Sequence, residues 1–498
     1  MKPLLENTAQ PIHRRLARLR SRALPSFAIL AALVALFFPP AAFPFQLPSH
    51  EPVNPSASAP APQAAASLDE TAKQIVNEMV LGQFDRVEAQ YDEKMAAALP
   101  PGKLATAWQS LVNEVGEFQS ISATRTTGMG NQTVVIVVCK FERADLDARI
   151  AFDSDAKLAG LFFAPHQKEY APWVAPSYAN FDSFTESPLE LVNGKYQLPG
   201  TLTMPKGDGP FPAVVLVQGS GPHDQDETIG PNKPFKDLAW GLASRGIAVY
   251  RYTKRTAKYG TEISNDPASL TVDDEVIRDA QAAVALLAKQ PKIDASRVFL
   301  LGHSLGGYLA PRIASQDAQI HGLILLAAPT EPIEQLALKQ IRYISTLAGI
   351  PSAQAQNEIK LAEDSVKQIE SPDLKHGDTV SFLGTNSPAS YWLDLRGYSP
   401  ETIAATLSIP MLLIQGGRDY QVPPQDFDTW KKALAGKKNA TLQFFPELNH
   451  MLFAGIGPAT PQEYSKPGHV DAAVIAAIAN WILPGSEKTT GAPQKPAN

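Results

Sequence analysis

The chain has 498 residues, of which 44% are hydrophobic and 19% charged, and its formal net charge is -6 at pH 7. This length gives room for two or three domains, and the acidic balance gives no indication of nucleic-acid binding, which requires a basic face. The single cysteine, Cys139, excludes an internal disulfide and is expected to be a buried thiol, because it ends an apolar run at 133–139.

The first segment, residues 1–42, has the pattern of an export signal. Basic residues from Lys2 to Arg22 precede an apolar run at 27–38, which is shorter than the roughly 20 residues that a membrane-spanning helix needs. We therefore expect an exported protein, periplasmic or extracellular. Two prolines follow the run where a small-x-small cleavage site would be expected, so anchoring in the inner membrane through residues 27–38 is the alternative.

A small α+β domain is predicted for residues 68–165. It follows a Pro/Ala/Ser-rich segment at 43–67 that is expected to be a disordered linker, and a similar tail is expected at 486–498. Two stretches with apolar residues at helical spacing precede three strand-like runs, in the order 68–80, 104–112, 118–121, 133–141 and 160–163. Because this segment has no nucleophile, metal-ligand set or phosphate loop, we expect a binding or scaffolding role.

Strands and helices alternate from residue 183 to 485, which predicts a mostly parallel sheet with helices on both faces. After a hairpin at 195–204, the predicted elements are a helix at 273–289 and strands at 214–217, 247–251, 298–301, 323–327 and 411–415.

The regular alternation is interrupted at about 330–408. Two amphipathic helices are predicted there, at 332–348 and 352–368. An insertion at this point is expected to form a lid that covers the active site and excludes water. A peripheral helical decoration is the alternative.

The predicted strand at 298–301 leads into Gly302-His303-Ser304-Leu305-Gly306, a G-x-S-x-G sequence with a predicted helix behind it. In a nucleophile elbow a strand ends in a sharp turn that exposes a serine hydroxyl above the sheet, and small residues are needed on either side. Ser304 is therefore the predicted nucleophile of an α/β-hydrolase fold, with Gly302 and Gly306 as supporting glycines. His303 is interpreted as a packing residue.

Two further residues complete a predicted Ser-His-Asp triad. Asp419 follows the strand at 411–415, and His450 follows the last predicted strand at 440–445. Their order along the chain is the one this fold requires, and residues at the carboxyl ends of parallel strands meet at one sheet edge. The competing carboxylates are Asp426 and Asp428, and the competing imidazole is His469, which is interpreted as a surface residue.

The oxyanion hole is predicted to consist of the backbone amides of Ser220 and Leu305. Ser220 lies in a turn after the strand at 214–217, where Gly219 and Gly221 permit close approach of the backbone. The charged residues beyond this turn are interpreted as solvated loop charges rather than as metal ligands: His223, Asp224, Asp226 and Glu227.

The segment 218–246, which contains the Gly-Ser-Gly-Pro run, resembles bacterial α/β-hydrolases related to dienelactone hydrolase, and more narrowly the EstD-type carboxylesterases. Residues 68–165 are similar to the DUF3887-type domain that precedes the hydrolase in that group. The resemblance implies hydrolysis of short-chain carboxylic esters, with the catalytic roles on Ser304, Asp419 and His450.

The predicted function is that of a serine carboxylesterase that acts on a small-molecule ester through an acyl-serine intermediate, with no metal or organic cofactor. The alternatives are an acyl-thioesterase or acyltransferase with the same triad, and a non-catalytic exported binding protein. The acyl-chain length, the oligomeric state and the fate of the leader stay open.

Overall fold

The computed structural model describes residues 62–484, apart from residues 130–131, 143, 167–169, 266–269, 348–352 and 383–384. Within these ranges no helix combines the length and the apolar character needed to cross a membrane. The predicted export signal or anchor, the tail at 486–498 and most of the predicted linker lie outside the described residues.

A four-stranded antiparallel meander and four helices form the first unit. Its elements are α1 (Pro62–Val80), α2 (Phe84–Glu88), α3 (Glu93–Ala98), α4 (Lys103–Val115), β1 (Phe118–Met129), β2 (Gln132–Phe141), β3 (Asp145–Phe152) and β4 (Leu158–Pro165). Helix α1 begins six residues before the predicted boundary at 68, within the segment expected to be a linker. The predicted helices and strands are confirmed, and α2, α3 and β3 are additions to them.

The core of this unit lies between the sheet and helices α1 and α4. Ile75 of α1, Trp108 of α4 and Val137 of β2 belong to one cluster of buried side chains. Cys139 is fully buried in that cluster, as predicted, and its burial raises the pKa of the thiol to about 12. The apolar faces of the helices and strands are thus buried within the unit itself.

An eight-stranded sheet organises the rest of the chain. The strands after β4 are β5 (Phe184–Pro188), β6 (Leu191–Asn193), β7 (Tyr196–Leu198), β8 (Gly200–Pro205), β9 (Phe211–Val217), β10 (Ala248–Tyr252), β11 (Ile293–His303), β12 (Gly322–Leu326), β13 (Thr379–Phe382), β14 (Thr385–Pro388), β15 (Met411–Gly416) and β16 (Ala440–Phe445). The sheet has the order β16-β15-β12-β11-β9-β10-β8-β5 and is parallel from β16 to β10, with β8 and β5 added antiparallel at one edge.

Helices cover both faces of this sheet. They are α5 (Pro234–Ala243), α6 (Arg255–Lys258), α7 (Gly260–Asn265), α8 (Arg278–Leu287), α9 (Leu305–Gln316), α10 (Ile333–Leu347), α11 (Ala353–Glu370), α12 (Ala389–Leu395), α13 (Pro400–Thr406), α14 (Pro424–Ala433) and α15 (Ala472–Ile482). Helices α5 and α15 bury their apolar sides with one face of the sheet, and α8, α9 and α10 with the other. This two-sided arrangement confirms the predicted fold class.

Two predicted elements differ in detail. The helix predicted at 273–289 starts with a π-helical turn, Asp273–Ile277, before the regular helix α8. The hairpin predicted at 195–204 is divided, because β7 pairs with β6 and β8 joins the main sheet between β5 and β10. The interruption between β12 and β15 contains α10, α11, the β13–β14 hairpin, α12 and α13.

Candidate active site

Ser304 occupies a sharp turn between β11 and α9. Its backbone has φ 52° and ψ -117°, a left-handed conformation that costs energy for any residue with a Cβ. The flanking glycines have no room for a side chain: a Cβ on Gly302 would collide with the carbonyl of Gly306, and a Cβ on Gly306 with that of Val217. The turn therefore depends on glycine on both sides of the serine.

Asp419 and His450 are in direct contact beyond the carboxyl ends of β15 and β16. The Asp419 Oδ2 atom lies 2.8 Å from Nδ1 of His450, and both residues are 3% exposed. Since a carboxylate only accepts, Nδ1 carries the proton of this bond and Nε2 of a neutral ring has a free lone pair. That is the tautomer a general base requires.

The carboxylate of Asp419 is held in place by its own loop. Oδ1 accepts the backbone N–H groups of Gln421 and Val422, each at 2.9 Å, and Oδ2 accepts the Gln415 amide at 3.2 Å. With the imidazole, four donors surround the two oxygens. The orientation of the His450 ring is therefore fixed by a carboxylate that is itself rigidly held.

Ser304 lies at the same edge of the sheet and is joined to His450 through its neighbour. The His303 Nε2 atom donates to the His450 carbonyl at 3.0 Å, and the two rings are 4.7 Å apart. Among the hydrogen bonds of the described residues, none joins the Ser304 hydroxyl to the His450 ring. Such catalytic hydrogen bonds are often long before substrate binds and shorten in the complex.

The Ser220 turn approaches the serine closely. A Cβ on Gly219 would stand 3.1 Å from that of Ser304. The backbone N–H groups of Ser220 and Leu305 have no acceptor among the described residues. That of Leu305 is free because it lies in the first turn of α9, where helical amides have no intrahelical partner. Two unpaired donors near the serine are what an oxyanion hole requires.

A small cavity connects these parts. It has a volume of about 10 Å³, and its lining consists of Ser220, Ser304, Pro329, Ile333, Leu336, Gln340 and Gln421. This is room for about one water molecule. A larger cavity of about 490 Å³ lies behind the Asp419 loop, where Tyr343 and Tyr420 stack with ring centres 5.0 Å apart, and Ser304 does not line it.

The competing residues have other partners. Asp426 accepts from the backbone and hydroxyl of Thr330, and Asp428 is exposed beside Lys431. His469 pairs with Asp237 and is only partly exposed. None of these groups contacts His450.

The interpretation of the charges beyond the oxyanion turn is wrong for three of the four residues. His223, Asp226 and Glu227 are 8%, 7% and 1% exposed, and only Asp224 faces solvent. Each buried group has a partner within the fold, which solvates it in place of water. In the described part of the chain, no three His, Cys, Asp or Glu side chains form a group that would hold a metal ion.

Gln340 of α10 is a site residue that the sequence analysis missed. Its amide nitrogen donates to the carbonyl of Gln421 at 2.9 Å, while its buried oxygen has no partner. Leu336, Gln340 and Ile344 recur every four residues on the buried side of the helix. A glutamine in such an apolar stripe was the signal that this side of α10 meets something other than core.

Comparison with known proteins identifies the family. Esterase EstD from Thermotoga maritima is 40% identical over 417 residues, which are 84% of this chain and 96% of that protein. This chain belongs to the EstD-type esterases. The resemblance deduced from residues 218–246 is thereby confirmed.

Two family models and several solved structures also match parts of this chain. Residues 72–161 match DUF3887, a protein family of unknown function, and residues 231–455 match the model described as serine aminopeptidase, S33. Est1E from Butyrivibrio proteoclasticus is 17% identical with a TM-score of 0.38, and the match covers 59% of this chain and 97% of that one. A putative dienelactone hydrolase from Klebsiella pneumoniae is 18% identical with a TM-score of 0.37, over 61% and 99% of the two chains. The assignment rests on Esterase EstD, because these TM-scores are low.

Proposed function

We propose that this EstD-type esterase is a serine carboxylesterase that hydrolyses short-chain carboxylic esters through an acyl-serine intermediate. Family membership supports the general activity, hydrolysis of a carboxylic ester. The observation that carries the residue assignment is the buried 2.8 Å contact between Asp419 and His450, at the sheet edge where the strained turn presents Ser304.

In the proposed reaction the Ser304 hydroxyl attacks the ester carbonyl while Nε2 of His450 accepts its proton. Asp419 stabilises the imidazolium, and the amides of Ser220 and Leu305 donate to the oxyanion. The imidazolium then gives the proton to the departing alkoxide, leaving an acyl-serine and an alcohol. Water, deprotonated by the same ring, attacks the acyl group; the acid leaves and the serine hydroxyl is restored.

We further propose that residues 330–408 act as a lid. Ile333, Leu336 and Gln340 of α10 line the cavity at Ser304, so this helix separates the serine from solvent on that side. A cavity of about 10 Å³ does not hold an ester, and α10 has to move for substrate to enter. The apolar side chains of α10 beside Ser304 are proposed to limit the length of the acyl group.

Export is proposed from residues 1–42 alone. Cell fractionation, with mass determination of the mature N-terminus, tests it. Recovery of the full-length protein in the membrane fraction would favour the anchor over cleavage, and recovery in the cytosol would contradict both. For residues 68–165 we propose a binding or scaffolding role.

The decisive experiment replaces the nucleophile. Ser304→Ala is expected to lower the turnover of p-nitrophenyl acetate by at least about 10⁴-fold, because the acyl-enzyme can no longer form. Ser315→Ala changes an exposed serine of helix α9, which begins directly after Ser304; it is the matched control and is expected to retain wild-type turnover. A Ser304→Ala enzyme with wild-type rates would overturn the proposal.

A substrate panel tests the rest of the proposal. We expect kcat/KM to be highest for acetate to butyrate esters and to fall for longer acyl groups. Paired oxygen and sulfur esters separate an esterase from a thioesterase, and an amino-acid p-nitroanilide tests the aminopeptidase activity that the S33 description suggests. A fluorophosphonate probe should add its mass at Ser304. No labelling would favour a non-catalytic binding protein.

A further inference from the structure

A buried lysine binds one side of the oxyanion turn, the segment Gly219-Ser220-Gly221. The Lys254 ammonium donates to the carbonyls of Gly219 and Gly221 at 2.9 and 3.1 Å, and it pairs with Glu275 at 2.7 Å. The Lys254 and Glu275 side chains are only 2% and 6% exposed. All three ammonium protons therefore have acceptors, which offsets the cost of burying the charge.

These bonds set the direction of the Ser220 amide. In a trans peptide the carbonyl of one residue and the N–H of the next point to opposite sides. Because the Gly219 carbonyl faces Lys254, the N–H of Ser220 faces the other way. The ring of His223 donates from Nε2 to the Ser220 carbonyl at 2.6 Å and fixes the following peptide as well.

A buried glutamate, Glu227, binds the same turn through the Gly219 N–H. Glu227 is 1% exposed and has a left-handed backbone with φ 51°. Its Oε1 atom accepts the Gly219 N–H at 2.6 Å. Its Oε2 atom lies 3.0 Å from Nδ1 of His303, and these two atoms form an ion pair but not a hydrogen bond. Strain in a buried loop residue with specific partners suggests a function.

His303 extends this contact to the catalytic imidazole. Its Nε2 atom donates to the His450 carbonyl, and its Nδ1 atom faces the Glu227 carboxylate, so each ring nitrogen faces an acceptor. Burial lowers the pKa of His303, but the carboxylate outweighs this effect and the pKa is raised. Because each nitrogen faces an acceptor, the ring is committed to these two contacts.

We propose that Glu227 is a positioning residue that, together with His303, fixes the distance between the oxyanion turn and the loop of His450. The Glu227 carboxylate contacts the turn directly and reaches the His450 carbonyl through His303. Lys254 secures the turn from the other side. The inference rests on the proposed function, and it adds a requirement for catalysis outside the triad. Displacement of a catalytic group by about 1 Å can reduce the rate about 100-fold.

Glu227→Gln tests this role because it keeps the size of the side chain and an acceptor for Gly219 but removes the charge. We expect kcat for p-nitrophenyl acetate to fall about 10- to 100-fold with KM nearly unchanged. The affinity for a trifluoromethyl ketone, whose serine adduct presents an oxyanion, should fall by a similar factor, since such a ligand resembles the transition state. A merely structural role would not produce this parallel loss.

Asp226→Asn is the matched control. Asp226 is the adjacent buried carboxylate, and it pairs with Arg251 and Lys233 without contacting the turn. We expect this variant to have a lower melting temperature but a normal kcat and normal ketone affinity. Wild-type kcat and ketone affinity in Glu227→Gln, at any melting temperature, would overturn the inference, as would equal losses in the two variants.

His303→Gln provides a second route if Glu227→Gln does not fold. On its own it should show the same fall in kcat. If both single variants fold, the double variant should lose little more than either of them, because the two side chains act as one unit. Losses that multiply fully in the double variant would contradict the coupling. The two proposals fail separately: an active Ser304→Ala enzyme removes the proposed function, whereas an inert Ser304→Ala enzyme beside a normal Glu227→Gln enzyme removes only this inference.

Discussion

At the scale of single residues, the site combines two residues with a strained backbone, Ser304 and Glu227, with several fully partnered ones. Ser304 has an unfavourable backbone, whereas the Asp419 carboxylate accepts from two backbone amides of its own loop, from Gln415 of β15 and from His450. A base whose orienting partner is this well fixed loses little energy to reorganisation during the reaction. The rigidity of Asp419 is therefore as relevant to catalysis as its charge.

Asp419→Asn is expected to lower kcat by roughly 10⁴-fold, because an amide would present N–H groups toward Nδ1 and favour the wrong imidazole tautomer. Initial rates with p-nitrophenyl acetate measure the effect. Asp426→Asn, which removes a nearby buried carboxylate that binds Thr330, is the control and should keep its activity. If the Asp426 variant were the inactive one, the acid would be wrongly assigned.

At the scale of elements, strands β9, β11, β12, β15 and β16 place every proposed catalytic group at one edge of the sheet, and α10 covers that edge. Strands β9, β12 and β15 are short apolar runs buried on both faces, which is why their sequence pattern is so clear, whereas β16 at the edge is partly exposed. The loops that follow them are free to differ between relatives without disturbing the sheet.

Leu336→Ala is expected to shift the acyl preference toward longer chains, because Leu336 of α10 lines the cavity at Ser304. The ratio of kcat/KM for hexanoate to that for acetate should rise about 10-fold, the scale of a few methylene groups in an apolar pocket. Leu338→Ala, two residues away and buried outside the cavity, should lose comparable stability, about 2–5 kcal/mol, without the shift. An equal shift in both variants would argue against a role of α10 in selecting the acyl group.

The parts of the fold that were predictable have a local signal. The parallel strands are predicted to within a few residues. Strand β3 is not predicted, although Asp145, Asp147 and Arg149 alternate with its apolar residues. That alternation is itself a strand pattern, and Asp147 is buried because His166 partners it.

Site residues also differ in whether the local sequence indicates them. Ser304 could be singled out from a short motif and Gln340 from its place in an apolar stripe, but Glu227 and Lys254 could not. Their partners lie far away in the chain: Lys254 contacts a turn more than thirty residues earlier. Only the folded arrangement distinguishes such a residue from a solvated charge.

At the scale of the whole molecule, the chain contains separate buried cores. One cluster of apolar side chains belongs to the unit at α1–β4, and two others cover the faces of the eight-stranded sheet. Cys139 lies in the first cluster and is the only cysteine of the sequence, so its thiol reports on that unit alone.

Cys139 is expected to resist modification in the native protein. With the thiol pKa raised to about 12, roughly one thiol in 10⁴ is ionised at pH 8, and the sulfur is also shielded from reagent. Ellman's reagent should therefore react only as this unit opens, at a rate that reports the free energy of opening. Ester hydrolysis measured in parallel shows whether the sheet domain stays folded. Complete labelling within the mixing time would show that the core is not closed.

The backbone conformation of Ser304 lowers the stability of the fold, but the reaction needs a side chain at this position. A side chain in that conformation costs on the order of 1–3 kcal/mol, and glycine is the residue that would relieve it. Glycine, however, supplies no hydroxyl. A protein with glycine at position 304 would be more stable but inactive. The fold therefore loses stability at the residue that attacks the substrate.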